Sequence, residues 1–206
     1  MSLVQWWEAT WSDLQLAQPD PQVLGGLLAR YGEPHRAYHT AQHLEECCGH
    51  FQQARVLATD PGAVQLALWF HDAIYDTHSP NNEDQSAGWA ASVLERADAP
   101  GGLQNAVRAM ILATKHNAAP HTSDAALTVD IDLSILGAPT IRFDEYEVQV
   151  RQEYSWVPKE VFRGTRVKIL GEFMARPRIY STEFFFDRLE VPARANLRRS
   201  MARLGE

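Results

Sequence analysis

The 206-residue sequence predicts an all-α fold, and three observations lead to that expectation. Apolar residues recur at three- and four-residue spacing along most of the chain, which is typical of amphipathic helices. Proline and glycine occur mainly between these stretches, where they end helices or form turns. The one strand-like stretch, TEFFF at 182–186, is short and isolated, so we expect it to be a packed connection.

In the first third of the chain, turn and capping residues separate four predicted helices. Residues 3–17 carry apolar side chains at helical spacing and end before two prolines. The second helix begins with Pro21, because proline is well tolerated in a first turn. Thr40 is a candidate N-cap for the third helix, and the fourth is apolar on most sides, which implies burial. The predicted spans are 3–17, 21–31, 40–58 and 63–75.

Six further helices are predicted in the rest of the chain. A polar loop at 77–85 precedes the first of them, and a second polar loop at 116–124 precedes the third. Gly137 is a candidate helix stop with a proline beyond it. No internal repeat, low-complexity tract or long linker interrupts the pattern. The predicted spans are 86–97, 103–115, 125–136, 142–155, 158–175 and 188–204.

Length and composition predict one soluble domain over residues 1–206, with a core at about 36–140 and C-terminal helices at about 141–206 packed on it. The formal net charge of −7 argues against a partner that is a nucleic-acid polymer, since phosphate backbones need a basic surface. Adjacent cysteines, Cys47 and Cys48, rarely form a disulfide, which fits a reduced, cytoplasmic setting. No signal segment is evident and no apolar run approaches about 18 residues, so no membrane association is expected.

The dipeptide His71-Asp72 places two polar groups inside the apolar stretch LALWFHDAIYD. Burying a carboxylate is costly without a partner. A buried hydrogen bond between the two side chains is one explanation. A bound cation is the other, because imidazole and carboxylate together suit zinc, manganese or iron.

Further ligands for such a cation could come from two neighbouring segments. The helices 40–58 and 63–75 are joined by a short turn and should pack antiparallel, which brings the start of the first near the end of the second. His39 and His43 lie there on one helical face, and either could be a ligand. In the segment LTVDIDLSILG, Asp130 and Asp132 point in different directions, so at most one should face the cation.

This ordered set of histidines and aspartates resembles the HD-domain superfamily of metal-dependent phosphohydrolases. Over nearly its whole length the chain is also similar to a bacterial family of predicted HD-type phosphohydrolases. The resemblance favours His43 over His39 and Asp132 over Asp130, so that His43, His71, Asp72 and Asp132 would hold the metal on a helical bundle of HD-domain type. The matching stretches are YHTAQH (38–43), LALWFHDAIYD (66–76), NNEDQSA (81–87), DIDLSILG (130–137), RQEYSWVP (151–158), FMARPRIY (173–180) and ARANL (193–197).

Other polar residues near this set are candidates for chemistry or substrate binding. The carboxylate of Asp76 or of Glu83, which both follow the His71-Asp72 pair (the HD pair), could orient or deprotonate an attacking water. Each side chain could instead cap a helix or turn. His39, Lys115 and His116 are candidate contacts for an anionic substrate. In two-metal HD enzymes extra histidines bind a second ion, and His116 and His121 occupy the corresponding interval. They lie on a polar loop, however, so we expect one metal.

The C-terminal third is rich in arginine, a good ligand for phosphate. We expect most of these arginines to be solvated or to pair with neighbouring acidic residues. One or two should face the substrate cleft at the expected metal site. The expected acidic partners are Glu147, Glu153, Glu172 and Glu190.

Together these features predict hydrolysis of a phosphate ester or anhydride, of a nucleotide or related small molecule, by a metal-activated water. The sequence does not distinguish Mn, Ni, Zn, Mg and Fe, and a homodimer is compatible with it. Two alternatives stay open. One is a nucleotide-sensing binding protein with a non-catalytic metal site, and the other is a di-iron HD-type oxygenase.

Overall fold

The computed structural model describes residues 1–205, which form ten α-helices and no β-strand, so the predicted all-α fold is confirmed. Two short 3₁₀ helices, Arg55–Leu57 and Leu133–Gly137, extend the third and seventh α-helices. The α-helices are α1 (Leu3–Asp13), α2 (Pro21–Tyr31), α3 (Ala41–Ala54), α4 (Pro61–Phe70), α5 (Asn82–Arg96), α6 (Gly101–Ala113), α7 (Ser123–Asp132), α8 (Thr140–Glu153), α9 (Lys159–Ala175) and α10 (Glu183–Gly205).

The chain divides into two compact units, Met1–Asp132 and Leu133–Glu206. The boundary falls inside the core range of about 36–140 that the sequence suggested, and the expectation of one domain over residues 1–206 stays a prediction. None of the helices in the described part of the chain has the length and apolar character that a bilayer span requires.

Helix α4 is the centre of the first unit, and α1, α3, α5, α6 and α7 all pack against it. Its start is defined by Asp60, whose carboxylate accepts a hydrogen bond from the Ala63 backbone N–H, and by a proline at the first helical position. Every residue of the helix after that proline is buried, in keeping with its apolar sequence. A helix with five helical neighbours fixes the positions of the groups at its two ends.

Aromatic side chains pack α1 against α4. The rings of Trp7, Trp11 and Trp69 meet edge to face at centroid distances of 5.1–5.5 Å, and burying such large rings contributes strongly to the core. Trp69 also donates its indole N–H to the Thr10 hydroxyl at 3.2 Å. The predicted extension of this first helix to residue 17 is wrong, because the chain turns at Gln15, which has a φ of 54°.

The predicted helix 63–75 is wrong at its C-terminal end, because α4 ends at Phe70 and His71-Asp72 lie in the turn that follows. Side chains take the place of the helical N–H donors there. His71 Nδ1 donates to the Leu68 carbonyl at 2.8 Å. The Arg36 guanidinium donates to the carbonyls of Asp72 and Ala73 at 2.6 and 3.2 Å. Because side chains satisfy these carbonyl oxygens, the helix can end here without unpaired buried acceptors.

Several other predicted boundaries also shift. Helix α5 begins at Asn82 rather than 86, since Asn82 bonds both ways with Asp76 of the preceding loop. TEFFF is not a connection: residues 183–186 form the first turn of α10, where Phe186 N–H bonds to the Thr182 carbonyl at 2.9 Å. The predicted helix 125–136 divides into α7 and the 3₁₀ helix that ends at Gly137. The remaining predicted ends, those of 40–58, 103–115, 142–155, 158–175 and 188–204, move by a few residues.

In the second unit, α10 packs along the 3₁₀ helix Leu133–Gly137 and along α9. The approach is close at Gly137, where a Cβ would lie 2.6 Å from Leu189 Cβ. Asn196 of α10 donates to the carbonyls of Leu136 and Ala138 at 2.9 and 2.8 Å. These bonds satisfy the carbonyls at the end of the 3₁₀ helix.

Ion pairs between arginines and glutamates also tie this unit together. The expected pairing with Glu147 and Glu190 is confirmed: Arg166 bonds to Glu147, and Arg194 donates to Glu190 at 2.7 Å. Glu190 also accepts hydrogen bonds from the backbone N–H groups of Ile179 and Tyr180. One glutamate therefore orders both its own helix and the segment before it.

Candidate metal centre

Two imidazole nitrogens and two carboxylate oxygens converge on one point in the first unit. His43 Nε2 lies 3.1 Å from His71 Nε2, 3.4 Å from Asp72 Oδ2 and 3.2 Å from Asp132 Oδ1. His71 Nε2 lies 3.0 Å from Asp72 Oδ2 and 3.5 Å from Asp132 Oδ1. The structure thus brings together the four residues that the sequence analysis favoured as ligands.

The convergence follows from how three helices are aligned. The Asp124 carboxylate at the start of α7 accepts hydrogen bonds from the Thr59 and Asp60 N–H groups at 2.8 and 2.9 Å. The N-terminal ends of α4 and α7 therefore lie side by side. Each helix has ten residues, and their C-terminal ends therefore lie at the same height. Helix α3 packs against both and precedes α4 in the chain by a short connection, so its first turn, which carries His43, reaches that end.

His71 is held in the tautomer that a metal ligand requires. Its Nδ1 lies 2.8 Å from the Leu68 carbonyl oxygen, which can only accept a hydrogen bond, so Nδ1 carries the proton. In the neutral ring the lone pair is then on Nε2, the atom that faces His43, Asp72 and Asp132. A hydrogen bond of this kind at the far nitrogen orients metal-bound histidines.

The group is closed on its histidine side and open on its carboxylate side. The side chains of His43 and His71 are 2% and 1% exposed, whereas those of Asp72 and Asp132 are 17% and 15% exposed. Tyr38 covers His43, with ring centroids 4.7 Å apart. Solvent therefore reaches the group on the side on which the carboxylates lie.

Charge coupling shifts the pKa values of all four residues. Burial by itself lowers the pKa of His71, but the nearby charges and hydrogen bonds of Asp72, Tyr31 and Asp132 outweigh it and hold that pKa well above its usual range. The pKa of His43 is raised in the same way against the effect of burial. Burial would raise the pKa values of Asp72 and Asp132, yet the imidazoles hold both well below the usual range.

The donor geometry fits a divalent cation. Ligands about 2.1 Å from a common ion are separated by about 3.0 Å in octahedral and about 3.4 Å in tetrahedral coordination. The five separations that involve a histidine Nε2 run from 3.0 to 3.5 Å. Two imidazoles and two carboxylates also form a ligand set that borderline metals such as zinc, manganese and iron accept.

Cys47 is a further candidate ligand that the sequence analysis missed. Its sulfur, His43, His71 and Asp132 offer ligand atoms that all lie within 4.8 Å of one another. Cys47 Sγ is 3.7 Å from His43 Nε2 and is buried. The available signal was its spacing, four residues after His43 on the same helical face.

Arg36 is a second residue that the sequence analysis missed. It is 5% exposed, and besides the turn carbonyls it donates to the His39 carbonyl at 3.1 Å and to Glu33 at 3.1 Å. Because these bonds join the segment before α3 to the turn that carries Asp72, Arg36 fixes two of the segments that present ligands. No local pattern distinguishes it from a surface arginine.

The three predicted substrate contacts occupy different surroundings. His116 Nε2 lies 2.9 Å from Asp132 Oδ2, the oxygen on the other side of that carboxylate from the candidate metal position. The His39 ring stacks on Tyr75 with centroids 4.0 Å apart. Lys115 Nζ pairs with Asp84 at 2.6 Å. His121, considered for a second metal, is exposed.

The two carboxylates predicted to act on water lie in the loop after the HD pair and in α5. Asp76 Oδ1 accepts a hydrogen bond from the His78 N–H at 2.8 Å, which forms a local turn. Glu83 lies in the first turn of α5, where the helix dipole favours an acidic side chain. Asp130, the alternative to Asp132, is fully buried within α7.

Comparisons of this chain with protein-family models, with curated proteins and with solved structures found no match.

Proposed function

We propose that this protein is a metal-dependent phosphohydrolase of the HD type that acts on a small phosphorylated molecule such as a nucleotide. The observation that carries the proposal is the convergence of His43, His71, Asp72 and Asp132, in which each histidine Nε2 lies 3.0–3.5 Å from the other histidine and from both carboxylates. The order of these residues in the chain, which resembles the HD pattern, is the reason for choosing phosphate as the group attacked.

A divalent ion held by these residues would lower the pKa of a bound water to make a nucleophile and would polarise a phosphoryl oxygen. The chain's part is to hold the ion and to leave room beside it. His43 and His71 form the buried floor, and the partly exposed Asp72 and Asp132 form the edge of the opening. Four ligands leave free positions in a six-coordinate site, unlike a closed structural centre.

The charges around the opening require a cation before a phosphate can bind. Asp72 and Asp132 repel an anion, and their lowered pKa values keep them ionised. His39 and Lys115 are the groups that we propose for contacting the phosphate. Lys115 can do so because its partner Asp84 is 44% exposed and can exchange the lysine for water when an anion arrives.

Asp76 and Glu83 are our proposed proton acceptors for the attacking water. Both carboxylates belong to the segment that follows the HD pair, and Asn82 connects them by bonding to the Asp76 backbone while preceding Glu83 in α5. His116 has a separate role in this scheme: it orients Asp132 by hydrogen bonding to the Oδ2 atom.

The test is phosphate release by purified protein that has been stripped with chelator and reloaded separately with Mn, Ni, Zn, Mg or Fe. Nucleotides, dinucleotides and phosphate monoesters form the substrate panel. We expect release with at least one metal, and a loss of more than about 100-fold in Asp72→Ala, because that variant lacks a ligand. Asp187→Ala is the matched control, since Asp187 is exposed on α10 in the second unit.

The remaining outcomes separate the two alternatives. If no metal supports phosphate release but a nucleotide binds the metal-loaded protein, the hydrolase proposal fails and a sensor function replaces it. Two irons per chain, with oxygen consumed and no phosphate released, would replace it with an oxygenase. If wild type and Asp72→Ala release phosphate equally, the activity does not come from this site.

A further inference from the structure

The second unit contains a cavity of about 560 Å³ among α8, α9 and α10. That volume lies in the range of small-molecule sites, which run from about 300 to 1,000 Å³. Val148, Phe162 and Leu204 form its apolar wall, and Val148 is 68% exposed. The residues of the candidate metal centre all belong to the first unit, so this is a separate site.

The two acidic residues of the cavity already pair with Arg166, Arg199 and Arg203. Glu147 bonds to Arg166 and accepts the Ser200 hydroxyl at 2.6 Å. Asp144 accepts from Arg199 at 2.8 Å and pairs with Arg203 at 3.1 Å. Neither carboxylate is therefore available to balance the remaining cations of the cavity.

Three cations of the lining have no carboxylate partner among the described residues: Arg151, Lys159 and Arg163. Arg151 donates to the carbonyls of Tyr154 and Val157 at 2.9 and 3.0 Å. Arg163 uses only its Nε, which donates to the Leu204 carbonyl at 2.8 Å, so its two terminal nitrogens have no bond within residues 1–205. Lys159 is exposed at the start of α9.

The two arginines are held in place rather than free to move. The Arg151 guanidinium lies 4.7 Å from the centroid of the Phe162 ring, which restricts it further by a cation–π contact. Guanidinium groups held in this way lose little entropy when they bind a carboxylate or phosphate. An excess of local positive charge on a chain with a net charge of −7 also makes this cavity attractive to anions in particular.

We propose that this cavity binds one small organic anion with an apolar body. The acidic group would lie against Arg163, Lys159 and Arg151, and the apolar part would cover Val148 and Phe162. The pattern of an apolar wall with a few polar groups converging at one side is typical of ligand sites.

The test uses 8-anilinonaphthalene-1-sulfonate, a fluorescent sulfonate with an aromatic body, on the full chain. We expect saturable binding of one molecule per chain. N-phenyl-1-naphthylamine has the same aromatic body without the sulfonate and should bind about tenfold more weakly, a difference that corresponds to one charge-assisted contact. Asp72→Ala should leave the sulfonate's affinity unchanged, because the metal centre is not involved.

Two charge-removing variants locate the site. Lys159→Gln and Arg163→Gln should each weaken sulfonate binding, by about three- to tenfold, and leave binding of the neutral probe unchanged. Lys159→Gln removes no hydrogen bond within the described residues, so it stays informative if Arg163→Gln disturbs the fold. Lys168→Gln is the matched control, an exposed lysine on the same helix that does not line the cavity.

The proposal is overturned by any of three results: no saturable binding, equal affinity for the charged and neutral probes, or equal weakening by Lys168→Gln and Lys159→Gln.

Discussion

His71 and Asp72 are adjacent in the chain, and the turn after α4 lets both side chains face one point. In a continuous helix, neighbouring residues point about 100° apart, which separates their side chains. The bond from His71 Nδ1 to the Leu68 carbonyl and the bonds from Arg36 to the Asp72 and Ala73 carbonyls end the helix at this position. The ligand pair thus depends on a residue, Arg36, that has no ligand role of its own.

His116 illustrates how a residue can act through a ligand. Its Nε2 lies 2.9 Å from Asp132 Oδ2, and its φ of 56° shows that the backbone adopts the left-handed region to bring the ring there. We predict that His116→Ala weakens metal affinity by about 10- to 100-fold, the usual effect of losing a group that orients a ligand. Competition with a chelating dye measures the affinity.

The matched control for this substitution is His121→Ala, which removes an exposed histidine from the same loop. His116→Gln should recover part of the affinity, because an amide N–H can also donate to the carboxylate. Equal affinities for wild type and His116→Ala would mean that Asp132 is oriented by the helix alone.

If Cys47 binds the ion, the ligand set contains a soft sulfur donor; if it does not, all donors are nitrogen and oxygen. Its sulfur lies 3.7 Å from His43 Nε2, a separation that a tetrahedral ion with about 2.0 Å bonds to nitrogen and about 2.3 Å bonds to sulfur can span. The oxygen of Asp72 is nearer, at 3.4 Å from the same nitrogen. We therefore predict that Cys47→Ser keeps full metal occupancy and that the cobalt-loaded wild type shows no thiolate-to-cobalt charge-transfer absorption. A charge-transfer band that Cys47→Ser abolishes would make the sulfur a ligand instead.

At the scale of the element, the sequence predicted which stretches are helical better than it predicted where they end. The spacing of apolar residues indicates which face of a helix is buried. Where local signals also mark the ends, as in the helix 21–31, the observed bounds match the predicted ones. Ends that depend on distant partners were not predictable: α4 ends early because of Arg36, which is 36 residues away from Asp72. Which of Asp130 and Asp132 faces the other ligands also depends on residues distant in the chain. Spacing alone left both open, and only the family resemblance favoured Asp132.

The fit between α10 and the 3₁₀ helix Leu133–Gly137 provides an element-scale prediction. A Cβ on Gly137 would lie 2.6 Å from Leu189 Cβ and 2.9 Å from the Leu189 carbonyl oxygen, and neither atom can move without shifting α10. We predict that Gly137→Ala lowers the free energy of unfolding by about 1–3 kcal/mol through overpacking. Chemical denaturation monitored by circular dichroism measures the change.

Gly164 provides a control with the opposite expected sign. It lies inside α9, and a Cβ at this position would have no neighbouring atom within 4 Å, so an added methyl group meets open space. Gly164→Ala should raise the free energy of unfolding by about 0.5–1 kcal/mol, because alanine loses less backbone entropy in a helix. If both substitutions change stability in the same direction, the contact between Gly137 and Leu189 is not the limiting one.

At the scale of the whole molecule, metal binding and proton binding compete for the same atoms. In the metal-free protein the raised pKa values of His43 and His71 keep these imidazoles protonated beside Asp72 and Asp132. Each such histidine contributes stability that is fully present below its unfolded pKa of about 6.5 and is lost as the pH rises through the folded pKa. A cation needs the same Nε2 atoms without protons, so its contribution grows over the interval in which the protons leave.

We therefore predict that the thermal stabilisation by added metal increases with pH between about 6 and 8.5. At a free metal concentration of about 100 times Kd the gain is about 2.7 kcal/mol, or about 5–10 °C in Tm for a chain of this size. Circular dichroism melts with Mn²⁺ and with EDTA at each pH provide the measurement. His71→Ala should show little difference between the two conditions, whereas Asp187→Ala should behave as wild type. A metal-dependent shift in Tm that is equally large at both ends of this pH range would contradict the proton competition and the assignment of His43 and His71 as ligands.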